Sequence, residues 1–372
     1  MGRDIPLGRL AGIKIGMNVS VLLIAGFNAW VLADNNFPIQ VPGLTPVDYW
    51  VAGVTAALAF FASLLVHEMG HALVARHEGI GVSGISLWLL GGVARLESSP
   101  RTPGAEFRIA VVGPLASAAC GVALVSAAYV LPDYGRWHLA GTAAEWLGVI
   151  NLILAGFNLL PAAPLDGGSV LAALIWSRSG RQSTGKIWAA RSGVAVGLAM
   201  VWWGLKDMGT NDGIGLWILM VGAFIAMNAW QSLRAAPLFA LVEGVRVADA
   251  MYADPPTARA SDTVADFLRS LPRDTHHQSY PVIGDHGRVT GVLTANAIRA
   301  VPSSQWEALR TVELAFPMER ITVVRTDEPL LNAIQRIDGG DVRTGLVVDP
   351  GGRTVGTVDA RALRDLADAR RS

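Results

Sequence analysis

VAGVTAALAFFASLLVHEMGH, residues 51–71, is the stretch from which the rest of the chain is read. Its first sixteen residues, Val51 to Val66, carry no charge and little that is polar, as a helix crossing a bilayer requires. It closes on His67-Glu68-Met69-Gly70-His71. Residues four apart stack on one face of an α-helix, so His67 and His71 can aim their imidazoles at one ion. Glu68 lies about 100° round the helix from His67, beside such an ion, where a carboxylate serves as general base toward water. H-E-x-x-H alone arises by chance in soluble helices. Two histidines and a carboxylate closing an apolar span are costly to bury without a function. His77-Glu78 has no second histidine four residues on and reads as a helix end at the membrane surface.

Composition agrees with a membrane setting. The 372 residues are 52% hydrophobic and only 16% charged, too apolar for a soluble chain of this length, so several spans are expected. Thirty basic and thirty acidic residues cancel, and no nucleic-acid partner is implied. The single cysteine, Cys120, excludes an internal disulfide and reads as inert packing in an apolar run. The opening MGRDIPLGRL lacks the apolar core of a cleavable signal, and Pro6 stands where a myristoylation signal needs Ser or Thr.

Apolar segments of spanning length fall at about 15–34, 50–75, 106–131, 143–161, 187–206 and 213–233, giving about six transmembrane helices. Residues 79–97, GIGVSGISLWLLGGVARLE, alternate like a β-hairpin with Gly91-Gly92 at its two-residue turn. Leu87-Trp88-Leu89-Leu90 is greasy for a surface hairpin, so a membrane-associated hairpin dipping toward the histidines is expected. The third span is interrupted at Gly113-Pro114-Leu115, and the fourth breaks into PAAPLDGGSV, residues 161–170. Prolines and glycines so close cannot continue a straight helix, and such backbone survives at membrane depth only inside protein or against a wet cavity. Asp166 sits in the middle of it.

Basic residues gather in the N-terminal stretch (Arg3, Arg9, Lys14), after the second span (Arg76, Arg95, Arg101) and after the fourth (Arg178, Arg181, Lys186). The intervening loops carry Asp34 and Asp48, Asp133 with Arg136, and Asp207 with Asp212. The positive-inside rule then places both termini in the cytoplasm. From about Val245 the long apolar runs stop and an internal repeat begins. VIGDHGRVTGVL (282–293) and VVDPGGRTVGTV (347–358) align at an offset of 65, matching Gly287 with Gly352, Arg288 with Arg353 and Gly291 with Gly356. Each copy has a helix-like stretch (264–271, 330–337), a strand, a turn and a strand, and a second helix following from Thr294 and Asp359. A duplicated α/β module is expected.

Together H-E-M-G-H (67–71) and N-L-L-P-A-A-P-L-D-G-G (158–168) resemble the site-2 protease family of intramembrane zinc metalloproteases, whose members pair H-E-x-x-H with N-x-x-P-x-x-x-x-D-G. L-W-L-L-G-G-V-A (87–94) and G-P-L-A-S (113–117) resemble that family's hairpin and following helix. The resemblance covers residues 1–235 and implies one zinc per chain, held by His67, His71 and Asp166. Glu68 would be the catalytic carboxylate, and Asn158 would hold the substrate backbone or the developing oxyanion. The repeat, residues 245–372, looks like a tandem pair of CBS domains (about 245–305 and 306–372), with V-A-D-A-M (247–251) a typical opening. Such pairs often bind adenosine nucleotides through Thr or Ser followed three residues later by Asp. Here Thr294 is followed by Ala297, and Asp359 by Ala362, which argues against nucleotide binding and leaves a structural or dimerising role.

The expectation is therefore a multi-pass α-helical membrane protein with a soluble α/β tandem CBS module, acting as a zinc endopeptidase. Its substrates would be single-span membrane proteins such as membrane-bound regulators, in a bacterial cell membrane, and the CBS pair would regulate or dimerise it. A CBS-containing transporter or channel would not need Glu68 between two histidines at zinc spacing. A zinc peptidase working in water would need a downstream Glu ligand and a charged surround, neither of which is evident. A catalytically inactive relative used for binding would not keep every catalytic residue.

Overall fold

The computed structural model describes residues 4–88, 91–208, 214–272, 277–284, 287–359 and 361–362. They fall into two compact units, Met1–Pro237 and Leu238–Ser372.

The first unit opens with strands, not with a helix. β1 (Ile5–Leu10) and β2 (Ile13–Met17) form a hairpin whose turn, Ala11-Gly12, has both residues at positive φ, 49° and 78°. That is the geometry two-residue hairpin turns require. A helical run follows in three pieces: α1 (Ser20–Trp30), wider π-helical turns over Val31–Asn36, and α2 (Phe37–Gln40). α3 (Pro46–His77) starts at a capping box, in which Thr45 Oγ1 accepts from the Asp48 amide and the Asp48 carboxylate accepts from the Thr45 amide. The run from 20 to 40 lies antiparallel to α3. Val21 packs in one cluster with Phe61 and Leu64, while Leu32 and Phe37 pack in another with Tyr49 and Ala56. Gly53 makes the approach close, since a Cβ there would stand 2.7 Å from Ala29 O.

β3 (Val82–Trp88) and β4 (Gly91–Leu96) complete a four-stranded sheet of order β1-β2-β3-β4, with β2 and β3 parallel and β4 at one edge. Gly91 and Gly92, expected at the hairpin turn, instead open β4 opposite Trp88 and Leu87. The turn itself, 89–90, lies outside the described residues. α4 (Pro103–Val130), with Pro114 inside it, and α5 (Gly135–Asn158) follow. After the break at 159–165 come α6 (Asp166–Ser179), α7 (Gln182–Asp207) and α8 (Ile214–Val242). α7 and α8 meet on glycines: a Cβ at Gly197 would stand 2.6 Å from Ala226 N, and one at Gly204 2.6 Å from Leu219 N.

Among the described residues four helices are long and apolar enough to cross a membrane: Pro46–His77, Pro103–Val130, Gly135–Asn158 and Ile214–Pro237. This differs from the six expected, for two physical reasons. The first expected span is present as the divided run 20–40, which packs along α3 between Tyr49 and Leu64 without being one long α-helix. The fifth is α7, 26 residues long, whose Lys186, Arg191 and Lys206 lower its apolar character. The loop 209–213, carrying the expected Asp212, lies outside the described residues.

The second unit repeats at the predicted interval. It contains β5 (Tyr252–Ala253), β6 (Ala258–Arg259), α9 (Val264–Ser270), β7 (Ser279–Ile283), β8 (Val289–Thr294), α10 (Ala295–Arg299) and α11 (Thr311–Leu314). β9 (Phe316–Pro317), β10 (Thr322–Arg325), α12 (Leu330–Asp338), β11 (Thr344–Val348) and β12 (Thr354–Asp359) complete it. The hairpins β7–β8 and β11–β12 stand 65 residues apart at every boundary. The sheets are β6-β7-β8-β9 and β10-β11-β12-β5, so the short opening strand of each copy closes the other copy's sheet. α10 follows Thr294 as expected, whereas most of the helix expected after Asp359 lies outside the described residues.

Candidate metal centre

α3 delivers His67 and His71 one turn apart, and the fold brings Asp166, at the first position of α6, against both. The two imidazole Nε2 atoms are 3.1 Å apart, and Asp166 Oδ2 lies 3.2 Å from that of His67 and 3.3 Å from that of His71. Metal–ligand bonds of about 2.0–2.2 Å in a tetrahedral set hold donor atoms roughly 3.4 Å apart, so this near-equilateral triangle fits a small divalent ion. The three residues are a group able to hold a metal among the described residues.

The outer nitrogens fix the rings. His71 Nδ1 lies 2.6 Å from Ile109 O, and a carbonyl only accepts, so Nδ1 carries the proton and Nε2 presents its lone pair. His67 Nδ1 lies 2.9 Å from the hydroxyl of Ser117, which is 0% exposed. α4 reaches this close only through Gly113: a Cβ there would overlap His71 Nε2 and stand 2.7 Å from His67 Nε2. The glycine thus leaves a space that any other residue would fill.

Asp166 depends on the broken segment before it. A Cβ at Gly168 would stand 2.5 Å from Ala163 N, and one at Gly167 would overlap the Leu159 and Leu160 backbone, so the two glycines of D-G-G let the loop fold back on α6. α7 holds the loop from the other side. Ala163 N–H donates to Ala189 O at 3.1 Å, and the Ser192 hydroxyl donates to Pro161 O.

Glu68, 8% exposed, accepts from the Ala94 amide through Oε2 at 3.0 Å, so β4 does come to the histidines as the greasy hairpin suggested. Gly92 of the same strand packs flat on it, since a Cβ there would stand 2.9 Å from Glu68 Cδ. Asn158 ends α5 half-buried, and no described hydrogen bond joins it to His67, His71 or Asp166. The sequence placed Gly113 in a helix interruption and Ser117 in a motif, giving neither a task at the histidines, and it did not point to the Ile109 carbonyl or the Ala94 amide. At Glu78, just past the end of α3, Arg108 of α4 donates to both carboxylate oxygens at 2.7 and 2.9 Å. That hydrogen bonding holds the Glu78 carboxyl below its ordinary value and ties the end of α3 to the start of α4.

The profile of Peptidase family M50 matches residues 55–135 and 136–202, and that of the CBS domain matches residues 247–303. A Mycobacterium tuberculosis protein named zinc metalloprotease Rip3 is 36% identical over 99% of this chain and 93% of its own. A Synechocystis protein named a zinc metalloprotease is 33% identical over 98% of this chain and 95% of its own. The solved site-2 protease from Methanocaldococcus jannaschii is 28% identical, covering 62% of this chain and 96% of its own, with a TM-score of 0.41.

Proposed function

The chain belongs to peptidase family M50, the zinc metalloproteases of site-2 protease type, and on that premise we propose that His67, His71 and Asp166 are its zinc ligands and Glu68 its general base. The observation that carries the assignment is the triangle of two Nε2 atoms and one carboxylate oxygen, 3.1 to 3.3 Å on a side, inside apolar helices. When bound, zinc supplies a Lewis acid that polarises water and the scissile carbonyl. Glu68, one residue from His67 and beside the triangle, takes a proton from the attacking water and returns it to the departing amine. Asn158, eight residues before Asp166 at the end of α5, offers an amide donor to the substrate backbone or its developing oxyanion.

The substrates are membrane proteins, and we assign single-span segments such as those anchoring membrane-bound regulators. A helix hides its carbonyls in its own hydrogen bonds, so the scissile stretch must unwind before it reaches the site. The outer edge of β4, which pairs with no further strand among the described residues and lies next to Glu68, is suited to receive it as an added strand.

The protein is an integral membrane protein, and a bacterial cell membrane with both termini in the cytoplasm is the orientation we assign. Arg76 at the end of α3 donates to Ala11 O in the β1–β2 turn, which keeps two basic clusters on one side. Arg136 pairs with Asp48 at 2.7 Å at the other end of α3, where acidic loops gather. The C-terminal unit acts as a tandem CBS pair, about 245–305 and 306–372, that pairs with a second copy or tunes proteolysis.

Metal analysis of purified protein tests the centre. About one zinc per chain is expected, lost in His71→Ala and Asp166→Ala and kept in Glu68→Gln, which should no longer cleave. Full zinc occupancy in both ligand variants would sink the assignment.

A further inference from the structure

The outer edge of β4 has a backbone amide already committed to the carboxylate that the proposed mechanism needs. Glu97 N–H donates to Gly81 O, on the β3 side. Alternate amides along a strand point the same way, so those of Arg95 and Val93 also face β3, while those of Leu96, Ala94 and Gly92 face outward. β4 is the last strand of its sheet, and on that outward side the Ala94 amide meets Glu68 Oε2 at 3.0 Å. Gly92, the next outward-facing residue, lies directly against the Glu68 side chain. An extended chain adding to this edge needs the outward amides as donors for its own carbonyls. Substrate strand and catalytic carboxylate therefore compete for one N–H.

We propose that this hydrogen bond is a latch displaced by substrate. In the free enzyme Glu68 is parked on the Ala94 amide. Pairing of an extended substrate segment with the outer edge of β4 takes that amide and releases Glu68 for proton transfer. The inference rests on Glu68 being the base. The exchange replaces one acceptor with another: a substrate carbonyl oxygen takes the place of Oε2, and no covalent bond changes. It explains why a buried carboxylate is not left without a donor before substrate arrives. It also explains why the strand lies directly over Glu68, with glycine at 92. The same donor that parks the base fixes the backbone of the peptide to be cut, so the base is released only when the peptide is in register.

Residue-resolved amide hydrogen exchange on the zinc-loaded full chain reads the latch directly. Glu68→Ala should speed exchange at Ala94 by about tenfold or more, while the inward-facing amides of Val93 and Arg95 stay as in the wild type. Glu68→Gln should keep Ala94 protected, because its carboxamide oxygen still accepts. An apolar pentapeptide hydroxamate, which chelates zinc and carries a strand-forming backbone, should restore protection to Ala94 in Glu68→Ala.

Ala94→Pro provides a second variant that deletes the amide at an edge position where proline is tolerated. It should weaken the pentapeptide hydroxamate by about tenfold while leaving acetohydroxamate, which has no backbone to pair, within about twofold. Equal exchange at Ala94 in wild type and Glu68→Ala, or unchanged peptide affinity in Ala94→Pro, would overturn the latch. Wild-type proteolysis by Glu68→Gln would instead remove the base assignment beneath it. An inactive Glu68→Gln together with an Ala94 amide indifferent to residue 68 would remove the latch alone.

Discussion

At Gly113 a hydrogen atom stands where any other residue would place carbon against both imidazoles. Gly113→Ala should therefore lose zinc although no ligand has changed, read by metal content against an unchanged helical circular-dichroism spectrum. Ser117→Ala removes the only described partner of His67 Nδ1 and should weaken zinc by about 10- to 100-fold, measured by competition with a chelator. Neither role is visible in one dimension. His67, Glu68 and His71 were legible because helical spacing alone brings four-apart residues together. Asp166 needed a second motif and a family resemblance. Gly113 and Ser117 act only because α4 crosses α3 at His71, and that crossing is a fact of packing.

Among the elements, the end of α3 and the start of α4 are tied by the two-point contact of Arg108 on Glu78. Arg108 lowers the carboxyl from its ordinary value of 4.5, so the clamp's contribution is complete above that value and disappears as pH falls through the lowered one. Glu78→Gln should accordingly lower the thermal midpoint at neutral pH, and the gap from wild type should close in acid. A gap that widens in acid would contradict the clamp. The element reading from sequence held where hydrophobicity ran unbroken, as in α3 and α5, whereas the interruption expected at Gly113-Pro114-Leu115 is absent from α4, which runs as one helix through Pro114. It missed β1 and β2, because six residues of mixed character declare a strand only when β3 is there to pair with. It misplaced Gly91-Gly92 because glycine serves two ends: turns, and close packing such as Gly92 on Glu68.

Over the whole molecule, every proposed zinc ligand lies in the unit Met1–Pro237. Removing residues after about Glu243 should leave zinc bound while changing the cleavage rate or the choice among substrates. Calorimetry with ATP or AMP at millimolar concentration should give little heat. By the CBS resemblance Ala297 and Ala362 take the place of the carboxylate expected to hold a ribose, and Ala362 is 2% exposed in the core of its unit. Losing such a hydrogen bond weakens a polar ligand by about 1–3 kcal/mol. The 65-residue repeat was legible from Gly287, Arg288 and Gly291 recurring as Gly352, Arg353 and Gly356. The exchange of opening strands between copies was not, since β5 and β9 are two residues each and carry no pattern of their own.

That exchange sets a timetable for synthesis. β5 pairs through Tyr252 and Ala253 with Thr357 and Gly356, near the far end of the chain. A ribosome adding about 5–20 residues per second leaves β5 waiting for roughly 5–20 s before its partner emerges. The sheet of β6 to β9 spans only Ala258–Pro317 and can close while the rest is still being made. A nascent chain arrested just after β9 would therefore carry one finished sheet and one orphaned strand, and the residues after Pro317 released alone would always lack the edge that β5 supplies.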